Sequence, residues 1–277
     1  MTPLRDSIIH GKPVEQLFID VHGHFGPWSD TTIPYCLDHD RLIAEMDRYG
    51  CDQAWMCASN PGFGGDLAAK NDLVFDLAQR FPHRILPYCT LSAHRPQQAL
   101  PELKRCLDRG PCIGIKMHRY RQPPYTCRSH FLQPVLELLN DRRLVYLNHA
   151  FPDYPALEWA AAAYPQMTFL SGHADLSINQ LACRIPNIRD CSCAASRPDL
   201  LEQIVQTVGR SDTLLIGSDF GLFQLAFGIG MLAYSRLPET DVANILGLNA
   251  LALLRRVAWF QDLQFSKPLP PAPLPPH

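Results

Sequence analysis

Two histidines one glycine apart, His22 and His24, close the apolar run "FIDVHGH" at residues 18–24. Neutral imidazole is a common ligand of divalent metal ions, so the pair reads as the first half of a metal site. An ordinary turn can also hold two such histidines, and the remaining ligands must therefore come from elsewhere in the chain. Candidates stand at the ends of three other apolar runs: His149 in "RLVYLNHA", His173 in "MTFLSGHA" and Asp219 in "TLLIGSDF". Two histidines from one run, two from others and a carboxylate make a complete set for zinc or a similar divalent ion.

Residues so far apart in the chain need elements that bring their ends to one place. Eight short apolar runs recur: "LFIDV" (17–21), "QAWMCA" (53–58), "RILPYCTL" (84–91), "CIGIKMH" (112–118), "RLVYLNHA" (143–150), "MTFLSGHA" (167–174), "NIRDCSC" (187–193) and "TLLIGSDF" (213–220). Between them lie stretches of helical periodicity, among them "LDHDRLIAEMDRYG", "LAAKNDLVFDLAQRF", "QQALPELKRCLDRG" and "HFLQPVLELLNDR". Eight strands alternating with helices predict an α/β fold, a (β/α)8 TIM barrel, with a doubly wound open sheet as the alternative. In such a barrel the C-terminal ends of the strands form one rim, and groups from strands one, five, six and eight converge there.

Strand alternation sharpens the expectation, because successive residues point to opposite faces. Ile113, Ile115 and Met117 share the face suited to packing on helices, which turns Gly114, Lys116 and His118 inward. Asp20, His22 and His24 share one parity, as do Ser171 with His173 and Gly217 with Asp219. The polar set thus faces inward in every strand that carries it.

Composition narrows the classes of function. The chain has 277 residues and a formal net charge of −2, with no basic stripe, so neither nucleic acid nor a membrane surface is an expected partner. Its longest apolar stretch, "FGLFQLAFGIGMLAY" (220–234), is too short to span a bilayer and reads as a core helix. The first residues lack the apolar core of a signal peptide, and the ten cysteines show no zinc-finger spacing, which together suit a cytoplasmic protein with buried thiols. Cys191 and Cys193 form the one close pair, read as two positions on one strand face. "SNPGFGGD" (59–66) lacks the lysine of a phosphate loop and reads instead as a flexible loop over the barrel mouth, with Gly62, Gly64 and Gly65 as pivots and Phe63 toward substrate. A single barrel domain over 1–265 and a proline-rich tail over 266–277, extended or disordered, complete the layout.

The motifs "IDVHGHF", "GIKMH", "LNHA", "LSGHAD", "LIGSDF" and "NILGLNALALLRR" stand in this order across residues 17–256, and the sequence resembles the amidohydrolase superfamily. Within it the resemblance is to the amidohydrolase-related branch, which holds aminocarboxymuconate-semialdehyde decarboxylase and several barrel hydrolases. This resemblance implies that His22, His24, His149 and Asp219 hold a divalent metal, expected to be zinc, and that His173 is a catalytic histidine or a ligand of a second ion. Lys116 stands where some members carry a carboxylated lysine bridging two metals; as an ammonium it would instead grip an anionic substrate. The branch favours one metal. "KMHRY" replaces a proline common after this strand, so His118, Arg119 and Arg121 become candidate substrate contacts. A homodimer is expected from the resemblance alone.

A metal held this way lowers the pKa of bound water from about 15.7 toward roughly 7. Asp219 could then accept its proton and pass it to a leaving group, while His173 polarises the substrate carbonyl. Asp20 could orient a ligand, or simply make a hydrogen bond that closes the barrel base. The leading expectation is a metal-dependent hydrolase that cleaves an amide, lactone or ester C–N or C–O bond in a small anionic substrate. The same residues could instead remove CO2, making the protein a decarboxylase. A non-catalytic ligand-binding barrel is the third reading, which a buried set of ionisable groups disfavours.

Overall fold

The computed structural model describes residues 3–27, 38–59, 65–120 and 122–271. Each of the eight apolar runs overlaps one strand, the first strand extending past its run: β1 (Ile19–Phe25), β2 (Gln53–Ala58), β3 (Ile85–Thr90), β4 (Gly114–Met117), β5 (Val145–Asn148), β6 (Thr168–Ser171), β7 (Ile188–Cys191) and β8 (Leu214–Leu215). They pair in parallel in chain order to form one eight-stranded sheet. The sheet closes through the segment beyond the short β8. Val21 N donates to Ile216 O at 3.0 Å, His24 N donates to Phe220 O at 2.6 Å, and Gly23 bridges Phe220. This is the (β/α)8 barrel.

A short α1 (Pro3–Ile9) precedes β1, and the helices α2 (His39–Tyr49), α3 (Leu67–Arg80), α4 (Ala99–Leu107), α5 (Gln133–Arg142), α6 (Tyr154–Ala163), α7 (Leu176–Arg184) and α8 (Pro198–Val208) each follow a strand. Aspartates set several starts: Asp38, Asp66, Asp153 and Asp175 each accept a backbone N–H of the first helical turn, supplying a partner that the helix itself cannot. Nearly every strand position is buried, because one face packs on the helices and the other fills the barrel. After β8 come α9 (Leu225–Ala233), α10 (Glu239–Ala243), a π-helical turn (Asn244–Leu248) and α11 (Asn249–Leu254). The stretch read as a core helix is shorter and only partly buried: Leu225, Ile229 and Leu232 are buried, whereas Phe227 within it and Phe223 and Tyr234 at its ends are exposed.

Two features depart from simple alternation. Along β1 the register with β2 runs Ile19 to Gln53 and Asp20 to Ala54, then Gly23 to Met56, so β1 carries one extra residue between them. Such a bulge re-aims side chains next to an active site. At the opposite end of the barrel the first residues of the proline-rich tail are fastened rather than free. Lys267 Nζ donates to Asp52 Oδ2 at 2.8 Å, to Gly50 O at 2.6 Å and to Gln16 O at 2.7 Å, and Ser266 Oγ donates to Asp52 Oδ1 at 2.6 Å. Residues 272–277, Arg121 and the loop residues Gly62, Phe63 and Gly64 lie outside the described residues.

Candidate metal centre and active site

His22 and His24 leave β1 at the rim, and Asp219 arrives from the segment after β8. Asp219 sits in the left-handed region at φ 55°, a conformation that costs energy for a residue with a Cβ and is kept only where the surroundings enforce it. Here the backbone N–H groups of Leu222 and Phe223 both donate to its carbonyl, at 2.8 and 2.9 Å. Gly221 follows at φ 94°, and a Cβ there would lie 1.9 Å from His24 O, so the turn can press against β1 only because this residue is glycine. The result brings Asp219 Oδ1 to 3.3 Å from His22 Nε2 and 3.2 Å from His24 Nε2.

Lys116, wholly buried on β4, places its Nζ 2.6 Å from His22 Nε2. Asp20 ties the two ligand-bearing segments together. Its Oδ1 accepts His22 N at 3.0 Å and Ser218 N at 3.2 Å, and its Oδ2 accepts the Ser218 hydroxyl. Asp20 thus joins β1 to the segment after β8 next to the ligand-bearing residues, not at the barrel base. Burial raises its pKa to about 7 against those hydrogen bonds.

Of the four expected metal ligands, the structure brings His22, His24 and Asp219 within 4.8 Å of one another. His149 stands beside them in a row of rings, its centroid 3.9 Å from that of His118 and 4.0 Å from that of His173, with Tyr120 edge-on at 4.9 Å. Arg119 lies over the Tyr120 ring at 4.7 Å. Of the expected substrate contacts, Lys116 thus meets His22, His118 joins through His149 the ring row that holds the expected catalytic His173, and Arg119 reaches that row only through Tyr120. His173, Cys193 and Asp219 make a second close set of ligand atoms.

Electrostatics keep most of these rings neutral. Burial lowers His22 well below its usual pKa, with the Lys116 charge acting in the same direction. Burial and neighbouring cations push His118 down to about 4 and, with His118 and His173 as neighbours, push His149 down to about 2. His24 differs: burial opposes its charged form, but Cys57 and Asp219 outweigh that and raise it to about 9. Burial likewise works against the charge of Asp219, and His22 and His24 overcome it, holding the carboxyl well below its usual range.

Sequence reasoning did not anticipate the cysteines around the centre. Cys57 Sγ lies 3.1 Å from His24 Nδ1, Cys191 Sγ lies 3.8 Å from His22 Nδ1, and Cys193 joins the set around Asp219. Strand pairing holds the missing signal, since Cys57 is the register partner of His24. A separate group, Cys89, Glu102 and Cys106, also comes within 4.8 Å. Arg105 and Asn71 already occupy its carboxylate, so it serves as a hydrogen-bonded joint between α3, α4 and β3.

Residues 19–256 match the sequence model of a family described as amidohydrolase. A search of curated proteins finds no match. Among solved structures, 2,6-dihydroxybenzoate decarboxylase from Rhizobium superposes with a TM-score of 0.69 at 15% identity, covering 86% of this chain and 98% of its own. The 5-carboxyvanillate decarboxylase of Novosphingobium aromaticivorans, complexed with manganese and 4-hydroxy-3-methoxy-5-nitrobenzoic acid, gives a TM-score of 0.66 at 16% identity, covering 89% and 96%. Dihydroxybenzoic acid decarboxylase from Polaromonas, with bound manganese and 2-nitroresorcinol, gives 0.67 at 15%, covering 86% and 96%. At these identities the likeness is one of fold.

Proposed function

The chain belongs to the amidohydrolase family, and on that premise we propose that it is a metal-dependent decarboxylase of a small aromatic carboxylate. One observation carries the reading: Asp219 is already shared by His22 and His24, the Lys116 Nζ lies 2.6 Å from His22, and the ring row His118–His149–His173 ends at His173 beside Asp219. An anionic substrate fits such a set of residues, and CO2 release needs no free carboxylate base.

The donor set suits a divalent ion. Two imidazole nitrogens and a carboxylate oxygen converge in a buried place, a ligand mix that zinc and manganese both accept. His22, His24 and Asp219 would hold the ion, with His149 as the fourth ligand. When bound, it supplies a sink for negative charge developing on the substrate. The Lys116 ammonium attracts and neutralises the substrate's acid group, while His118 and Arg119 orient it from the rim. As the bond between ring carbon and carboxyl carbon breaks, the electron pair stays on the ring carbon and CO2 leaves. His173 gives that carbon a proton and regains one from solvent. An anion seated beside His173 favours its charged, donating form.

Hydrolysis, the leading expectation from sequence, is the second reading. It is favoured by the closeness of His173 and Asp219, which could move a proton between a water and a leaving group. One experiment separates the two. Protein loaded with zinc or manganese is incubated in D2O with a panel of hydroxybenzoates and, separately, with lactones, esters and amides. The decarboxylase reading expects CO2 and one deuterium on the vacated ring carbon. Turnover of lactones, esters or amides with no CO2 from any benzoate would replace it with hydrolysis.

A further inference from the structure

Both histidines of the proposed metal pair are held at two ends. Their Nε2 atoms face Asp219, and their Nδ1 atoms face sulfur: Cys57 at 3.1 Å from His24 and Cys191 at 3.8 Å from His22. The two sulfurs come from β2, the neighbour of β1, and from β7, the neighbour of β8, after which Asp219 follows. Both cysteines are fully buried. Space is reserved for one of them, because a Cβ on Gly217 would lie 2.2 Å from Cys191 Sγ and 2.8 Å from His22 Cβ.

We propose that Cys57 and Cys191 are the positioning residues of the metal centre, their sulfurs accepting the Nδ1 protons of His24 and His22 and aiming both Nε2 atoms at the ion. The inference rests on the reading of His22 and His24 as metal ligands. A neutral imidazole that binds through Nε2 carries its proton on Nδ1, and that proton needs an acceptor to fix tautomer and ring orientation. Carboxylates and backbone carbonyls usually serve. Here Ala58 O is 3.5 Å from His24 Nδ1, farther than the sulfur of Cys57. For His22 Nδ1, Cys191 is the acceptor that the described residues provide. Sulfur is the weaker acceptor, so it orients the ring while drawing less on the N–H than a carboxylate would.

The test uses the full chain as wild type, Cys57→Ala, Cys191→Ala and the two corresponding Cys→Ser variants. Each is stripped with a chelator, melted in the metal-free state, and titrated with zinc and with manganese against a chromophoric competitor. Each Ala variant is expected to bind about 10- to 100-fold more weakly, the usual effect of losing such a partner. Each Ser variant should recover part of that loss, and the metal-free melting temperatures should stay near wild type. Unchanged affinity in all four variants, beside a wild type that takes up one equivalent, overturns the inference and leaves the metal reading standing. Loss of affinity that tracks loss of metal-free stability, in Ser and Ala variants alike, assigns the sulfurs to packing and overturns it too. A wild type that binds neither ion overturns the metal reading and the inference together.

Discussion

Lys116 is the residue on which the alternatives for this site turn. Its side chain is fully buried, and its Nζ lies 2.6 Å from a metal-ligand candidate. A carboxylated lysine bridging two ions would make it part of the metal site; an ammonium facing an anionic substrate makes it part of the binding site. Lys116→Met keeps the length and most of the volume while removing the charge. A charge-assisted hydrogen bond contributes about 1.5–3 kcal/mol, so kcat/KM for a carboxylate substrate should fall about 10- to 100-fold. Elemental analysis run beside the kinetics distinguishes the roles. Metal content at the wild-type level supports the ammonium, whereas loss of an equivalent of metal assigns the lysine to a bridge.

At the scale of elements, the site depends on how closely the segment after β8 can approach β1. Asp219 is placed by a left-handed turn, and Gly221, two residues on, leaves no room for a side chain. Gly221→Ala puts a Cβ 1.9 Å from His24 O at φ 94°, so the turn must open or the strand must shift. The expected cost is about 1–3 kcal/mol, the range for a residue forced into a sparsely populated backbone region. For a chain of this size each kcal/mol lowers Tm by roughly 2–4 °C. Metal affinity should fall as well, because the displaced turn carries Asp219 and the strand carries His24. A variant that melts like wild type and binds metal like wild type would show that the approach of the two segments is not what holds Asp219 in place.

Across the whole molecule, the rim and the base do different work. The rim gathers imidazoles, an ammonium and a strained aspartate, whereas the base is closed by hydrogen bonds from the tail. Asp52 is nearly inaccessible, and its carboxylate accepts from Phe18 N, Ser266 Oγ and Lys267 Nζ. Removing one partner from a buried pair leaves a charge without compensation, at a cost of about 3–5 kcal/mol when nothing else contacts it. Phe18 N and Ser266 remain, so Lys267→Met should cost about 3 kcal/mol, the lower end of that range. Thermal melting checks the loss, and the metal affinity of the folded protein should not change. If affinity also changes, base and rim are coupled through the barrel. Tail and rim stand at opposite ends of the same strands, an arrangement that lets stability and chemistry be altered separately.

Most of the architecture was legible before any coordinates. Eight apolar runs of strand length, spaced by helical periodicity, specify parallel strands with covering helices, and each run overlaps one of the eight strands. The inward polar set was legible as well, because alternation along a strand is a local property. His22, His24 and Asp219 do converge. What alternation does not carry is the approach between strands. The extra residue in β1, the left-handed turn at Asp219 and the exposure of Phe223, Phe227 and Tyr234 in and around α9 all depend on contacts between segments distant in the chain. So do the sulfurs behind His22 and His24. Cys191 and Cys193 read as an ordinary strand face because no local pattern says which strand will stand next to them. Residues 266–271, the described part of the tail, form neither helix nor strand, yet composition has no way to register that Lys267 would meet the buried carboxylate of Asp52, more than two hundred residues earlier. Periodicity and residue type are local and survive in the sequence. Register, close approach and the partner of each buried polar atom are properties of the packed barrel alone.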